Sequence, residues 1–334
     1  MTFKAWIYIL NRYINGGYFS SAEGIAASVT PGLMFYKNAA SVMSMYARRR
    51  DDEQRIGIEM KLDIPIYSGS NIHVKEMMEA LVPLADYVHS AFIHGSIATG
   101  EENSYSDFDG LIILRDSLFE DRTKLSKIAS SINSLRFYMH RHDPLQHHGW
   151  FVLAESDLQD YREDFLPVDT LKYAKSLTPE FSLTLRLNQN VDFKKPFHRL
   201  CKSIERKLVQ HPDKFNLYSI KAILSEFMML PCLYVQAKEG RGIFKKFSFE
   251  EMRNDFSRED FAVMDTVSGI RKAWKIDLQE KEKRFLERTD FFSWYRRKHI
   301  QYKIPTAIHN AVDEELFIRM RLLTVEARKR IGNT

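Results

Sequence analysis

Cysteine is almost missing from this chain of 334 residues, with only Cys201 and Cys232 present. Two thiols cannot make a disulfide framework, and their number excludes a thiolate metal site, so both read as small buried hydrophobes in a reducing compartment. Long apolar runs are also scarce. The opening "MTFKAWIYILNRYINGGYF" is interrupted by polar residues and by Gly16-Gly17, short of the ~20 apolar residues that span a bilayer. The expectation is a cytoplasmic protein without a transmembrane segment, with an interfacial role for this aromatic, weakly basic start as the alternative. A strong charge imbalance is lacking too: Lys and Arg number 49 against 44 Asp and Glu, a net +5. That mild excess suits a phosphate-bearing ligand and falls short of a dedicated nucleic-acid binder.

Neither repeats nor low-complexity linkers divide the chain, so its organisation is read from periodicity. Residues 1–60 carry helical spacing in "FKAWIYILNRY" and "LMFYKNAASVMSMYARRR", split by a Gly/Ser/Pro stretch, and read as an N-terminal helical extension. From "NIHVKEMMEALVPLADYV", an amphipathic helix, the pattern changes to the short apolar runs "HSAFIHG" and "DGLIILRD", then to a helix in "RTKLSKIASSINSLRFYM" and a strand in "HHGWFVLAES". Beyond Gln159 the strand signal fades, and segments such as "LYSIKAILSEFMMLPCLYVQAKEG" and "VDEELFIRMRLLTVEARKRI" carry helical spacing. The expected division is 1–60, a mixed α/β domain at 61–165, and an all-helical domain at 166–334.

Chemistry concentrates in "FIHGSIATGEENSYSDFDGLIIL", Phe92 to Leu114. In extended chain, residues two apart point the same way, so Asp107 and Asp109 project together while Phe108 packs on the other face. Two adjacent carboxylates repel unless a cation lies between them, and hard oxygen ligands suit Mg²⁺ better than Zn²⁺. Upstream, Gly95 ends a strand without a side chain, which lets a phosphate reach the backbone, and Ser96 opens a short helix with its hydroxyl beside that approach. Phosphate at one end and metal at the other describe a nucleoside triphosphate. Taken singly, a Gly-Ser pair or an Asp-x-Asp is ordinary turn chemistry; their conjunction around a helix-length gap is what carries the reading.

The conjunction resembles the nucleotidyltransferase superfamily of the DNA polymerase β-like fold: an apolar strand, Gly-Ser, a short helix and loop, then Asp-x-Asp entering a second strand. The resemblance covers residues 60–155 and extends to Gly100 in the gap and to Ser106 before the first aspartate. It implies an α+β fold, a small mixed β-sheet flanked by helices and followed by a helical C-terminal domain. It also implies an enzyme that uses Mg²⁺ or Mn²⁺ to move a nucleoside monophosphate from an NTP such as ATP to a hydroxyl or phosphate, releasing pyrophosphate. Asp107 and Asp109 would hold the metal, and Gly95, Ser96 and Ser106 would face the nucleotide. The family's third carboxylate has no clean match, because its expected place is filled by His147 and His148. Asp143 stands a few residues early and Glu155 at the far end of the strand, so His147 as ligand and His148 or Asp143 as base are the candidate substitutes. A closed zinc site among His140, His142, His147 and His148 lacks the spacing.

The stretch "SEFMMLPCLYVQAKEGRGIFKKFSFEEM" is similar to the C-terminal helical domains of small-molecule nucleotidyltransferases, which implies a phosphate contact from Lys245 or Lys246, with Arg241 as a helper. Basic groups at 46–50, 294–303 and the tail read first as exposed helix faces. A small acceptor is therefore favoured. A nucleotide, RNA or protein acceptor and a catalytically impaired binding module are the alternatives.

Overall fold

The computed structural model describes residues 57–332 except 180, 277, 291–292, 294, 296 and 298–303. The helical extension expected over 1–60 lies outside the described residues up to position 56, as does the basic group at 46–50. Most of the group at 294–303 lies outside them as well.

The central sheet has four strands in the order β4-β3-β2-β5. Strands β2 (Val88–His94) and β3 (Asp109–Leu114) are antiparallel, β4 (Phe151–Ala154) lies parallel to β3, and β5 (Lys175–Ser176) is antiparallel to β2. Both faces of this sheet are covered, which explains why "SAFIH" and "LIIL" are continuously apolar rather than alternating. Ala91, Ile93, Ile112 and Leu114 pack on one side against helices α1 (Ile72–Leu81) and α3 (Arg122–His142). Phe92, Leu111 and Ile113 pack on the other, against an antiparallel ribbon of β1 (Ile58–Ile64) and β6 (Phe181–Leu187). Between β2 and β3 runs the short helix α2 (Gly95–Thr99), stopped by Gly100 at φ +71°. Helix α4 (Val168–Lys172) leads into β5.

Beyond residue 193 the described elements are helical: α5 (Lys194–Leu208), α6 (Leu217–Phe227), α7 (Leu230–Glu239), α8 (Lys245–Arg253), α9 (Arg258–Lys272), α10 (Glu280–Glu287), α11 (Thr306–Ala311) and α12 (Glu314–Ile331). By length and composition alone the 23-residue run Leu217–Glu239 matches a bilayer span, yet it divides into α6 and α7, and 78% of its most apolar window is buried in the helical core. Cys201 and Cys232 are buried there, unpaired.

The α+β architecture with a helical C-terminal region agrees with the sequence expectation. Two details correct it. Strand β1 begins at Ile58, inside the stretch assigned to the helical extension, and β5 and β6 fall inside the stretch assigned to helices. The reason is visible in β6: "FSLTLRL" alternates, with Leu183, Leu185 and Leu187 buried and the residues between them exposed, a two-residue period. The sheet-bearing unit therefore runs on to Leu187.

The two halves share a core. Tyr105 and Leu145, from the first half, are buried within the helical cluster. The Tyr105 hydroxyl donates to the Lys221 carbonyl at 2.6 Å and pairs with Ser225 Oγ at 2.9 Å, while its ring meets Trp274 edge-on at 5.1 Å.

Candidate functional site

At the end of β2, Gly95 turns with φ +70° into α2. A side chain there would collide with the Asp109 carboxylate, which sits opposite His94 in the β2–β3 register. Glycine is thus required twice, by left-handed backbone and by close approach. Ser96 Oγ donates to Ser106 Oγ (3.0 Å), and the Asn103 amide donates to the same oxygen (2.9 Å). The loop between the two motifs is folded back so that Ser96 and Ser106 touch.

Strand β3 begins only at Asp109, so strand pairing alone does not align Asp107 with it. A side chain does. Gln146 accepts from the Phe108 amide and donates to the Phe108 carbonyl, both at 2.8 Å, as a neighbouring strand would. With Phe108 held extended and buried, the carboxylates on either side of it emerge on one face.

His147 and His148 meet them there, from the irregular segment before β4 rather than from the strand the sequence suggested. His148 Nε2 lies 3.1 Å from Asp109 and 3.9 Å from Asp107, and His147 Nδ1 lies 3.6 Å from Asp107 Oδ1. Single donor atoms of Asp107, His147 and His148 fall within 4.8 Å of one another. Asp107 Oδ1 and His147 Nδ1 are buried without a hydrogen-bond partner. The Asp107 carboxylate, whose Oδ1 has no partner but the Lys221 ion pair, the unpartnered nitrogen of His147, and His148 once it releases its proton form a donor set that fits a divalent cation.

The deep side of the site is closed by Lys221, on α6. Its Nζ lies 3.0 Å from Asp107 Oδ1 and donates a hydrogen bond to Asp143 Oδ2, with the side chain fully buried. Asp143 follows the last turn of α3 and also accepts from the Leu145 amide at 3.0 Å.

The charges are tuned in opposite directions. Burial works against the Asp107 carboxylate, but Lys221 and the two histidines hold it well below the usual carboxylate range. Burial, opposed by the Lys221 charge and reinforced by Asp107, raises Asp143 to about 6. Burial lowers His147 to about 4. The same burial would depress His148, but the hydrogen bond and charge of Asp109 push it up to about 9.

The structure thus brings together Gly95, Ser96, Ser106, Asp107, Asp109, Asp143, His147 and His148. Lys245, at the start of α8, has its ammonium lowered to about 8 by burial and by Arg271, with Asp109 and Asp107 pulling the other way. Lys246 instead faces solvent and pairs with Glu101 just past α2. Arg241 is engaged by Glu251. Glu155 stands at the opposite end of the sheet, 3.5 Å from His89. A cavity of about 530 Å³ borders α2, walled by Tyr173, Phe244, Lys172, Lys175 and Lys246, with Tyr173 stacked on Phe244 at 5.0 Å. Sequence reasoning missed Lys221 and Gln146. The first had a signal: a lysine on the apolar face of α6, among Leu217, Ile220 and Leu224.

Residues 74–174 match the family model for the nucleotidyltransferase domain. This part of the chain is a nucleotidyltransferase domain, consistent with the polymerase β-like superfamily, and the domain supports nucleotidyl transfer in general. No curated protein and no solved structure matches the chain.

Proposed function

We propose that the protein is a divalent-metal-dependent nucleotidyltransferase that moves a nucleoside monophosphate from an NTP to a hydroxyl or phosphate of a small acceptor. The observation that carries this reading is the alignment of Asp107 and Asp109 on one face, beside His147 and His148 and against the Gly95–Ser96 turn. A bound Mg²⁺ or Mn²⁺ would supply charge neutralisation on the triphosphate and acidify the attacking oxygen. Asp107, Asp109 and His147 are the residues that would hold it.

The remaining work falls to the chain itself. Gly95 leaves room for the polyphosphate to reach the backbone, and Ser96 and Ser106 offer hydroxyls to it. Lys245 faces the aspartates from the helical half, and Lys246 stands at the rim. In the transfer, an acceptor oxygen bonds to the α-phosphorus as the bond to pyrophosphate breaks, and the acceptor's proton must leave. Asp143 is committed to Lys221, His148 is held protonated by Asp109, and an imidazole of His147 bound to the ion has no lone pair left for a proton, so the acceptor's proton leaves to solvent. The stacked Tyr173 and Phe244 beside three lysines suit an aromatic base and its phosphates.

A second reading, a nucleotide-binding module without turnover, has one observation in its favour: the nearest candidate for the third carboxylate is consumed by an internal lysine. Incubation with each α-labelled NTP, Mg²⁺ or Mn²⁺, and sugar, antibiotic, nucleotide, RNA or protein acceptors separates the readings. Label on a small acceptor, lost in Asp109→Ala, is the expected result. Label on a polymer changes the acceptor class. Binding without transfer under every condition favours the second reading.

A further inference from the structure

We infer that the Lys221 ammonium is a built-in cation standing in the second of the two cation positions of such a site, so that the protein works with one exchangeable divalent ion. The inference rests on the nucleotidyl-transfer reading and deepens it.

Two catalytic cations stand about 3.5–4 Å apart, which one shared carboxylate with a further carboxylate on each flank would hold. Here Asp107 is the shared residue and Asp143 supplies the third carboxylate, but the point between them is occupied by Lys221 Nζ, 3.0 Å from the first and hydrogen-bonded to the second. The lysine is not a side chain that swings aside. It is fully buried, its ammonium sits 5.0 Å from the centre of the Tyr105 ring, and its backbone carbonyl is gripped by the Tyr105 hydroxyl. A divalent ion inserted beside it would face a positive charge at contact range in a low-dielectric pocket.

The two flanks of Asp107 also differ in access: Asp109, His147 and His148 retain 28%, 21% and 28% side-chain exposure, whereas Lys221 and Asp143 retain 0% and 4%. Only the first flank is open to an ion exchanging with solvent. The commitment of the third carboxylate, Asp143, to a lysine is then no defect, because the ion it would hold is replaced by a charge attached covalently to the helical half.

The test counts ions. Full-length protein saturated with a non-hydrolysable nucleoside triphosphate is equilibrated with Mn²⁺ by dialysis, and bound manganese per chain is measured. One ion per chain is expected. Two ions overturn the inference while leaving the nucleotidyl-transfer reading in place, and none overturns both. Lys221→Ala, if it folds, vacates the inner position, and its count should rise from one to two; a folded variant that still binds one ion shows that the place is not a cation position and overturns the inference. Should the variant not fold, the wild-type count decides alone.

Discussion

Asp107 and Asp109 are two residues apart, carry the same group and point the same way, yet they live in different media. Asp109 looks toward the open flank, its partner a histidine that titrates and is partly exposed. Asp107 leans on a lysine with no exposure at all. Along one short stretch the protein therefore leaves one carboxylate wholly to an exchangeable partner and ties the other to a permanent one as well. The lesson is that a buried charge pair and a ligand site obey the same electrostatics and differ only in whether the counter-charge can leave.

The sharpest way to break this contrast is to remove one charge from each flank. Asp109→Ala should reduce nucleotidyl transfer to background while changing unfolding stability by no more than about 1 kcal/mol when measured above pH 9, where its pair with His148 no longer contributes. Lys221→Met should do far more to the fold, costing roughly 3–5 kcal/mol, since it strands two buried carboxylates. Denaturant titration of both variants checks the ordering, and an equal loss in the two would erase the distinction between flanks. Replacing both members of the inner pair, Lys221→Met with Asp143→Leu, should recover part of that loss.

The two histidines sharpen the contrast through pH. In chelator-treated protein His148 has a folded pKa near 9, above its ordinary value. Its contribution is therefore complete below about pH 6.5 and fades as pH rises through 9, by up to roughly 3 kcal/mol. His147 is displaced the other way, to about 4. Its neutral form favours the fold above about pH 6.5, and that advantage is lost as pH falls toward 4. Histidine ring resonances followed by NMR should show one titration near pH 9 that moves down in Asp109→Asn, and a second near 4 that barely moves. Two coincident midpoints near 6.5 would contradict the arrangement.

A smaller effect is expected at the seam between the halves. Tyr105→Phe deletes one hydroxyl that serves both the Lys221 carbonyl and Ser225. The cost should be about 1–2 kcal/mol in thermal or denaturant unfolding, with the inner ion pair intact. A larger loss would mean that the Tyr105 hydroxyl, rather than Nζ, holds Lys221 in place.

The same split between local and distant partners explains what the sequence revealed. Gly95, Ser96, Asp107 and Asp109 were legible because the motif closes on itself within a hairpin-sized stretch, although Gln146, from outside it, holds Phe108 extended between the aspartates. The sheet strands β2 and β3 were legible for the same reason, as apolar runs of strand length. Lys221 belongs to α6 and meets Tyr105 across 116 residues, a pairing that no local period encodes. Gln146 was equally silent, because a side chain imitating a strand leaves no pattern. β5, two residues long, is set by its neighbours, β2 on one side and the Pro65–Tyr67 segment on the other. β6 differs: its alternation was present in "FSLTLRL" and was outweighed by the helical spacing of everything after it.

The mildest prediction concerns the adjacent lysines at the start of α8. Lys246 and Glu101 are both about half exposed, at 53% and 51%, so Lys246→Ala should alter stability by less than about 1 kcal/mol, with any effect fading as salt screens it. Lys245 is partly buried, with its ammonium lowered to about 8 by burial and by Arg271, and it faces the aspartates that the nucleotide must approach. Lys245→Ala should therefore weaken triphosphate binding more than Lys246→Ala, and the difference should persist at high salt, where only the less solvated contact survives. Calorimetric titration of both variants at low and high ionic strength measures this. Equal weakening that vanishes with salt would return Lys245 to the exposed rim beside its neighbour, and would remove the helical half's direct part in holding the nucleotide.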